Sequence, residues 1–234
     1  MRFDIMTLFT SLVDGVLSES IIGRARAAGI IEVHTHDIRD FSENKHRRVD
    51  DTPYGGGMGM LMSPVPIYNC YRSVIDSMKD NPPQKRRVIY MSPQGQVLTQ
   101  DKAKQLLEYD NLIILCGHYE GVDQRIIDEI VDEEISIGDY VLTGGELPAC
   151  ILVDCVSRMI DGVLADKECY ELESIASGLL EYPQYTRPYE FNGRRVPDIL
   201  ISGHHANIEE WRRDMALKLT KEKRPDLLKD KGKE

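Results

Sequence analysis

The fold is decided by a glycine-bracketed stretch in the middle of the chain, Ser136-Ile137-Gly138-Asp139-Tyr140-Val141-Leu142-Thr143-Gly144-Gly145-Glu146-Leu147-Pro148. It begins where a short apolar segment ends, and it runs into a strongly apolar helix that we predict over residues 147–160. In α/β proteins, ligands bind at the carboxyl ends of the strands, where turns of this kind lie. The stretch therefore indicates an α/β domain with a ligand-binding turn.

Short apolar runs alternate with amphipathic stretches on either side of it, over the first two-thirds of the chain. We predict strands at residues 2–9, 30–38, 88–91 and 111–116, and a further strand that ends at Gly138. Helices are predicted at residues 19–28, 64–78 and 123–131, and after Thr99, whose side chain can cap a helix. Residues 39–62 are predicted to form a long loop. Strands that alternate with helices favour a largely parallel sheet.

Two more turns follow apolar strands, Met91-Ser92-Pro93-Gln94-Gly95 and Cys116-Gly117-His118-Tyr119-Glu120-Gly121-Val122-Asp123-Gln124-Arg125. Either turn alone is more often a simple chain reversal. Together with the stretch at 136–148 they would offer backbone donors and acceptors beside apolar walls from Ile137 and Leu142. Such a site suits an adenine ring and a ribose, whereas a triphosphate would call for a lysine among the glycines.

A fourth glycine-rich segment spans residues 50–60. It has neither the Gly-Lys-Ser/Thr ending of a phosphate-binding loop nor the spacing of a dinucleotide fingerprint. A flexible surface loop is an equally good interpretation.

The pattern changes after Gly162. Residues 163–177 are polar and predict a linker, and residues 178–234 predict a small helical domain. There Asn207 can cap a helix, with Glu210 three residues on, and apolar residues recur at helical spacing at Ile208, Trp211, Met215 and Leu219. We therefore expect a domain at 1–162 and a second domain at 178–234.

The composition, with 41% hydrophobic and 29% charged residues, is typical of a soluble globular protein. No apolar run approaches the roughly 18 residues of a membrane helix, and the amino terminus lacks the apolar core of a signal peptide. We expect no membrane association and a cytoplasmic protein, with its five cysteines mostly buried as thiols.

The net charge of −10 is unusual for a nucleic-acid-binding protein. The charge is uneven, however: residues 120–181 hold sixteen acidic and three basic residues, whereas residues 194–224 hold eight basic and five acidic ones. RNA binding is compatible with this pattern if the basic residues converge in space.

Taken in order, the glycine loop, Ser-Pro-Gln-Gly, Cys-Gly-x-Tyr-Glu-Gly, the stretch at 136–148 and Tyr182-Pro183-Gln184-Tyr185-Thr186-Arg187-Pro188 resemble one family over nearly the whole chain. This is the bacterial tRNA (guanine-N1)-methyltransferase family, TrmD. The resemblance implies a SPOUT-type parallel sheet with a deep trefoil knot in the catalytic domain, followed by a small tRNA-binding domain. It also implies a homodimer in which both subunits build each active site.

The cofactor implied is S-adenosylmethionine. Its expected contacts are Met91, Ser92, Pro93, Gly117, Tyr119, Glu120, Ile137, Gly138, Tyr140, Leu142, Gly144 and Gly145. The implied reaction methylates N1 of guanosine 37 in tRNA that also carries guanosine at position 36.

Two catalytic residues are carried over by matching motifs. Arg158, on the apolar helix, is expected to donate to guanine O6, and Glu173 is expected to take the N1 proton. Glu173 stands in Glu173-Ser174-Ile175, where the family commonly has Asp-Ser-Phe, so its carboxylate is one methylene longer.

The resemblance also implies Mg²⁺, with Glu120, Asp50 or Glu146 as candidate contacts. The expected RNA contacts are Asp50, His118, Arg187, Arg194, Arg195, Arg212 and Arg213, and His118 stands where the family often has arginine. Two alternatives stay open: a knotted methyltransferase with another RNA target, and an RNA-binding protein with a degenerate site.

Overall fold

A computed structural model describes residues 1–166, 168–171 and 173–228. The chain divides into two compact units, one over Met1–Ala165 and one that begins at Asp166, inside the predicted linker. The end of the predicted domain at 178–234 lies partly outside the described residues, since 229–234 are not among them.

The first unit is an α/β fold. Its strands are β1 (Arg2–Thr7), β2 (Glu32–Asp37), β3 (Asp50–Asp51), β4 (Leu61–Met62), β5 (Arg86–Val97), β6 (Asn111–Cys116) and β7 (Glu133–Ser136). Its helices are α1 (Thr10–Leu17), α2 (Ser20–Ala27), α3 (Pro64–Ser77), α4 (Gln100–Leu106), α5 (Gln124–Ile130) and α6 (Glu146–Ser157). Five strands form a sheet in the order β2-β1-β6-β5-β7, and every pairing is parallel. The predicted parallel α/β sheet is confirmed.

The sheet is buried on both faces. Helices α3 and α5 contribute to a core that includes Ile67, Val74 and Ile126, while α1, α4 and α6 pack together, with α6 against β1 and β6. Strand β6 is buried along its whole length, as a continuous apolar run in a parallel sheet requires. Helix α6 buries most of its surface, which explains why its sequence is apolar nearly all round.

Some local predictions were wrong. Strand β5 does not end at the predicted turn; it continues to Val97, and Met91 and Gln96 both pair with Ile135 across an irregularity that contains residues 92–95. Helix α1, which begins three residues after β1 ends, was not predicted. The predicted loop at 39–62 contains the small hairpin of β3 and β4. In contrast, the Thr99 cap is confirmed, since its side chain accepts a hydrogen bond from the Lys102 amide.

The second unit contains a short helix α7 (Glu168–Glu171), a hairpin of β8 (Glu190–Phe191) and β9 (Arg194–Arg195), and a long helix α8 (His205–Lys223). The predicted cap at Asn207 was wrong, because α8 begins about one turn sooner, at His205. Tyr182 and Tyr185 each lie 6.5 Å from the Trp211 ring and so pack the preceding segment against α8. The hairpin turns at Asn192 and Gly193, which both have positive φ, as a tight two-residue turn requires.

The cysteines are all free. Cys70, Cys116 and Cys150 are buried, as predicted, whereas Cys155 is half-buried and Cys169 is exposed. Burial raises the pKa of the Cys116 thiol well above its usual range and that of Cys150 to about 11. Among the described residues, none of the helices combines the length and apolarity that a membrane crossing needs.

A buried carboxylate ties three strands of the sheet together. Asp4 is fully buried and receives hydrogen bonds from Arg2 at 2.7 and 2.8 Å and from Asn111 at 2.8 Å, and it lies 2.9 Å from His36 Nε2. Burial alone would raise its pKa, but the hydrogen bonds from His36 and Arg2 outweigh burial and hold the pKa of Asp4 below its usual value.

Replacing Asp4 with Asn should therefore lower the free energy of unfolding by about 2–4 kcal/mol near neutral pH, because Arg2 and His36 lose a buried acceptor. A carboxyl with a depressed pKa stabilises the fold fully above its unfolded value of about 3.9, and that stability is lost as the pH falls through the folded pKa. Urea unfolding at several pH values measures the difference between the two proteins. A difference that stays constant well below pH 4 would contradict this assignment.

Candidate cofactor and active site

A cleft of about 370 Å³, within the size range of small-molecule sites, opens at the carboxyl ends of β6 and β7 and at the irregularity of β5 around residues 92–95. These three strands are neighbours in the sheet, so the turns after β6 and β7 meet the irregularity of β5 at one edge. The three segments singled out in the sequence lie there. Their meeting at one cleft is what the parallel topology predicts.

All the predicted cofactor contacts except Gly138 line the cleft, namely Met91, Ser92, Pro93, Gly117, Tyr119, Glu120, Ile137, Tyr140, Leu142, Gly144 and Gly145. Gly138 supports the wall instead. Its φ of 143° turns the chain, and a Cβ there would come within 2.6 Å of the Tyr140 ring. Gly138 thus allows Tyr140 to fold back along the loop.

The turn after β7 is held against the end of β6 by backbone contacts. The Gly145 amide donates to the Gly117 carbonyl at 2.9 Å, and Gly144 pairs with His118 as an antiparallel bridge. A Cβ on Gly145 would lie 2.8 Å from the Cys116 Cα, which is closer than real Cβ atoms approach backbone. Gly145 is therefore required by the close approach of two chain segments.

The chemistry of the lining fits S-adenosylmethionine. Within the described residues, no lysine or arginine side chain lines the cleft, whereas Glu120 and Glu134 do. A carboxylate-bearing cleft favours a cationic ligand such as a sulfonium and disfavours a polyphosphate. Apolar side chains of Ile137, Val141 and Leu142 supply walls for a flat ring.

Tyr90 forms part of the lining and was missed in the sequence. Burial, with Glu134 and Cys116 nearby, raises the pKa of Tyr90 to about 12, so its hydroxyl stays protonated. A Cβ on Gly117 would lie 2.7 Å from that hydroxyl, which shows how closely Tyr90 packs under the β6 turn.

Gln94, Gln124 and Glu134 also line the cleft. Gln94 and Gln124 lie in two of the segments that the sequence marked as ligand-binding turns, whereas no sequence pattern marked Glu134.

Glu120 joins the cleft to the glycine-rich loop. Its amide donates to the Met60 carbonyl at 3.0 Å, and a Cβ on Gly59 would lie 2.4 Å from its Cγ. Tyr54 and Met58 in the same loop are almost fully exposed, at 99% and 92%. The loop therefore presents apolar side chains next to the cleft.

The two predicted catalytic residues lie outside the cleft lining. Arg158 is the half-buried C-cap residue of α6, in the first unit. Glu173 lies in the second unit, where the Ser177 amide donates to its carbonyl at 3.1 Å. The segment after Glu173 is closed on itself, since Ser174 and Glu181 exchange hydrogen bonds through their side chains and amides.

The predicted RNA contacts lie in different surroundings. Asp50 is in the small β3–β4 hairpin, and His118 lines the cleft. Arg187, Arg194 and Arg213 are exposed on the second unit, together with Arg195, which pairs with Glu190 at 2.7 Å. Arg212 is engaged within its own unit, 5.0 Å from the Tyr182 ring and 2.6 Å from Glu209. Of these residues, Arg212 is the least suited to a phosphate.

Metal ligands are not clustered in the part of the chain that the structure describes: no group of three or more His, Cys, Asp and Glu side chains there is placed to hold an ion. Mg²⁺ often uses only one or two protein carboxylates and keeps several waters. The cleft offers two such carboxylates, those of Glu120 and Glu134.

Comparison with known proteins gives one consistent answer. The sequence profile described as tRNA (Guanine-1)-methyltransferase TrmD matches residues 1–230. A protein of Ruminiclostridium cellulolyticum named tRNA (guanine-N(1)-)-methyltransferase is 58% identical over 227 residues, which cover 97% of this chain and 96% of the relative. The Clostridioides difficile protein of the same name is 56% identical over 229 residues, with 98% of each chain covered. Matches of this length and identity show that the chain belongs to the tRNA (guanine-1)-methyltransferase family.

Proposed function

We propose that this protein transfers a methyl group from S-adenosylmethionine to N1 of guanosine 37 in tRNA. Membership of the family, whose relatives are named for tRNA guanine-N1 methylation, supports the reaction. The observation that carries the choice of cofactor is the cleft beside β5, β6 and β7, with its glycines, apolar walls and carboxylates in place of lysines. The intact glycine turns argue against a degenerate site.

S-adenosylmethionine, when bound, supplies a methyl group that its sulfonium already activates. The residues of the chain must deal with the guanine, whose N1 bears a proton and is a poor nucleophile. Arg158 holds the charge that develops on O6, and Glu173 accepts the N1 proton. The first role needs a positively charged group, which Arg158 provides, and the second needs a carboxylate, which Glu173 provides.

The proposal includes a homodimer with two composite active sites. Its support is an exposed apolar face on two adjoining helices, formed by Leu12 and Val16 of α1 and Leu147 and Ile151 of α6, each between 41% and 50% exposed. Apolar faces of this kind on soluble proteins mark interaction surfaces. A second copy of the chain, related by two-fold symmetry, would cover this face on both subunits.

The second unit is proposed to bind tRNA and the first to carry the SPOUT knot. Exposed arginines at 187, 194, 195 and 213 support a phosphate-binding surface on the second unit. The backbone contacts between the turns after β6 and β7 support a tightly threaded cofactor loop. Mg²⁺ is proposed to act through Glu120, and the protein is proposed to work in the cytoplasm, where tRNA is modified.

Methyl transfer to matched tRNA transcripts tests this proposal. With labelled S-adenosylmethionine and Mg²⁺, a transcript with guanosine at positions 36 and 37 should be labelled, and the same transcript with adenosine at 37 should not. Adenine lacks the N1 proton and the O6 atom that Glu173 and Arg158 are proposed to engage. Equal labelling of both transcripts would exclude position 37 as the target and favour another RNA site.

A further inference from the structure

The hairpin of β8 and β9 in the second unit exposes an aromatic side chain that the proposed mechanism does not use. Phe191 is 67% exposed, more than any other large apolar side chain that the structure describes in this unit. Single exposed apolar residues are common on protein surfaces, so exposure alone assigns Phe191 no role. Its neighbours on the hairpin distinguish it from such a residue.

The register of the hairpin sorts its side chains onto two faces. Phe191 pairs with Arg194, and Glu190 pairs with Arg195. Side chains of directly paired residues project from the same face of a sheet, and successive residues along a strand alternate between the faces. The pair of Phe191 and Arg194 therefore lies on one face, and the pair of Glu190 and Arg195 lies on the other.

The two arginines of the hairpin differ in their contacts. Arg195 Nε donates to Glu190 Oε2 at 2.7 Å, so a carboxylate already matches its charge. Arg194 is exposed, and its side chain forms no ion pair or hydrogen bond with the residues that the structure describes. Its guanidinium is thus available to an anion from outside this unit.

A second aromatic ring lies on the face of Phe191 and Arg194. Tyr189 comes two positions before Phe191, and its carbonyl accepts a hydrogen bond from the Val196 amide at 3.0 Å, which continues the ladder of the hairpin. Residues two positions apart on a strand point to the same face. The Tyr189 ring is 44% exposed, and its hydroxyl donates to Asp198 Oδ1 at 2.9 Å, which fixes its orientation. We call Tyr189, Phe191 and Arg194 the aromatic face of the hairpin.

The chemistry of the aromatic face matches single-stranded nucleic acid. An unpaired base offers a flat surface to an aromatic ring, and the adjoining phosphate offers a negative charge to an arginine. A base inside a duplex is covered on both surfaces by its stacked neighbours, so a duplex could use the arginine alone. An apolar protein surface would cover the rings but leave the charge of Arg194 without a partner.

We propose that the aromatic face binds an unpaired base of the tRNA, with Phe191 stacked on the base and Arg194 paired with a neighbouring phosphate. The proposal rests on the proposed function, because it takes tRNA as the substrate. It adds a stacking contact to the phosphate contacts of the second unit. It also separates Arg194 from Arg195, which net charge alone would treat as equal.

Substitutions of Phe191 test the stacking contact. The affinity for an unmodified tRNA transcript, measured by filter binding, should fall by roughly 5- to 100-fold in Phe191→Ala. Phe191→Leu should fall as far, because leucine is apolar but has no flat ring, whereas Phe191→Trp should stay within about twofold of the unaltered protein. Ile201→Ala is the matched control, since Ile201 is 63% exposed in the same unit and lies outside the hairpin. Its tRNA affinity should not change.

The salt dependence of binding separates the phosphate contact from the stacking contact. Arg194→Ala should weaken tRNA binding by about three- to tenfold and lower the slope of log affinity against log salt by about 0.7–0.9. Phe191→Ala should leave that slope unchanged, because a ring neutralises no phosphate. Arg195→Ala should cost less affinity than Arg194→Ala, since Glu190 already holds that guanidinium.

Each outcome has one meaning. Thermal unfolding and S-adenosylhomocysteine affinity, which should match those of the unaltered protein, show that a variant is folded. Unchanged tRNA affinity in Phe191→Ala, or tight binding by Phe191→Leu, overturns the stacking contact. A lower molecular mass of Phe191→Ala in light scattering, with unchanged tRNA affinity, assigns the face to a second copy of the chain instead. Should the unaltered protein bind no tRNA, the proposed function itself is wrong.

Discussion

Replacing Glu173 with Gln should lower the turnover number for methyl transfer by about 10²- to 10⁴-fold while the affinity for S-adenosylhomocysteine is unchanged. Glutamine has nearly the same shape as glutamate but accepts no proton at neutral pH. If Glu173 takes the N1 proton of guanosine, the loss falls on the chemical step. Single-turnover kinetics with saturating tRNA measure that step directly.

Glu181 provides a matched control in the same segment. Its carboxylate lies 3.3 Å from Ser174 Oγ and holds the closed turn after Glu173. Glu181→Gln keeps an oxygen acceptor for Ser174, so we expect turnover to change by less than about threefold. A comparable loss in both variants, or weakened cofactor binding in Glu173→Gln, would assign Glu173 a structural role in this turn instead.

Replacing Gly145 with Ala should weaken S-adenosylhomocysteine binding by roughly 10- to 100-fold. The added methyl group would meet the Cys116 Cα at 2.8 Å and the Gly117 amide nitrogen at 3.1 Å, and neither backbone atom can turn aside as a flexible side chain would. The φ of Gly145 is −83°, which alanine adopts freely, so the effect is steric. Calorimetry on the folded variant measures it.

Gly15→Ala is the control for this substitution. Gly15 lies inside α1, and a Cβ there would meet no atom within 4 Å. Alanine is the better helix former, so this variant should bind the cofactor normally and gain up to about 1 kcal/mol of stability. Normal cofactor binding by Gly145→Ala would mean that the two turns are not held as closely as the structure has them.

The parts of the fold that were predictable are those in which one physical signal dominates. Strand β6 has the predicted bounds, because a continuous apolar run from Asn111 to Cys116 is stable only inside a sheet. Thr99 caps α4 as predicted, because a threonine before an amphipathic stretch satisfies a free amide. In both cases the residues of the segment itself were sufficient to predict its structure.

Long-range packing decides what the sequence could not reveal. The turn signal at Ser92 to Gly95 was real, but the neighbouring strand β7 draws the chain back into pairing, so β5 continues to Val97. Asn207 has a good capping side chain, yet α8 starts before it, just after Gly203 with its φ of 77°. The Asn192-Gly193 hairpin carried a recognisable signal that the helical pattern around it obscured.

Some parts of the candidate site were likewise predictable from the sequence, and others were not. The glycine turns were recognisable as ligand-binding segments from their order and spacing, and they meet at the cleft. The environment of His118 was not, because its neighbours Phe9 and Gly144 come from segments far apart in the chain. The family resemblance suggested an RNA contact for His118, whereas the structure places it in the lining of the cleft, paired with Gly144.

Methylation of N1 of guanosine 37, as proposed for this protein, leaves a mark on the tRNA that can be read directly. A methyl group on N1 blocks Watson–Crick pairing, so reverse transcription of the treated tRNA should stop just before position 37. Mass spectrometry of the digested product should identify the modified nucleoside. We expect 1-methylguanosine at position 37 alone, formed only when both the enzyme and S-adenosylmethionine are present. A methyl group on another atom of guanine, or 1-methylguanosine at another position, would contradict it.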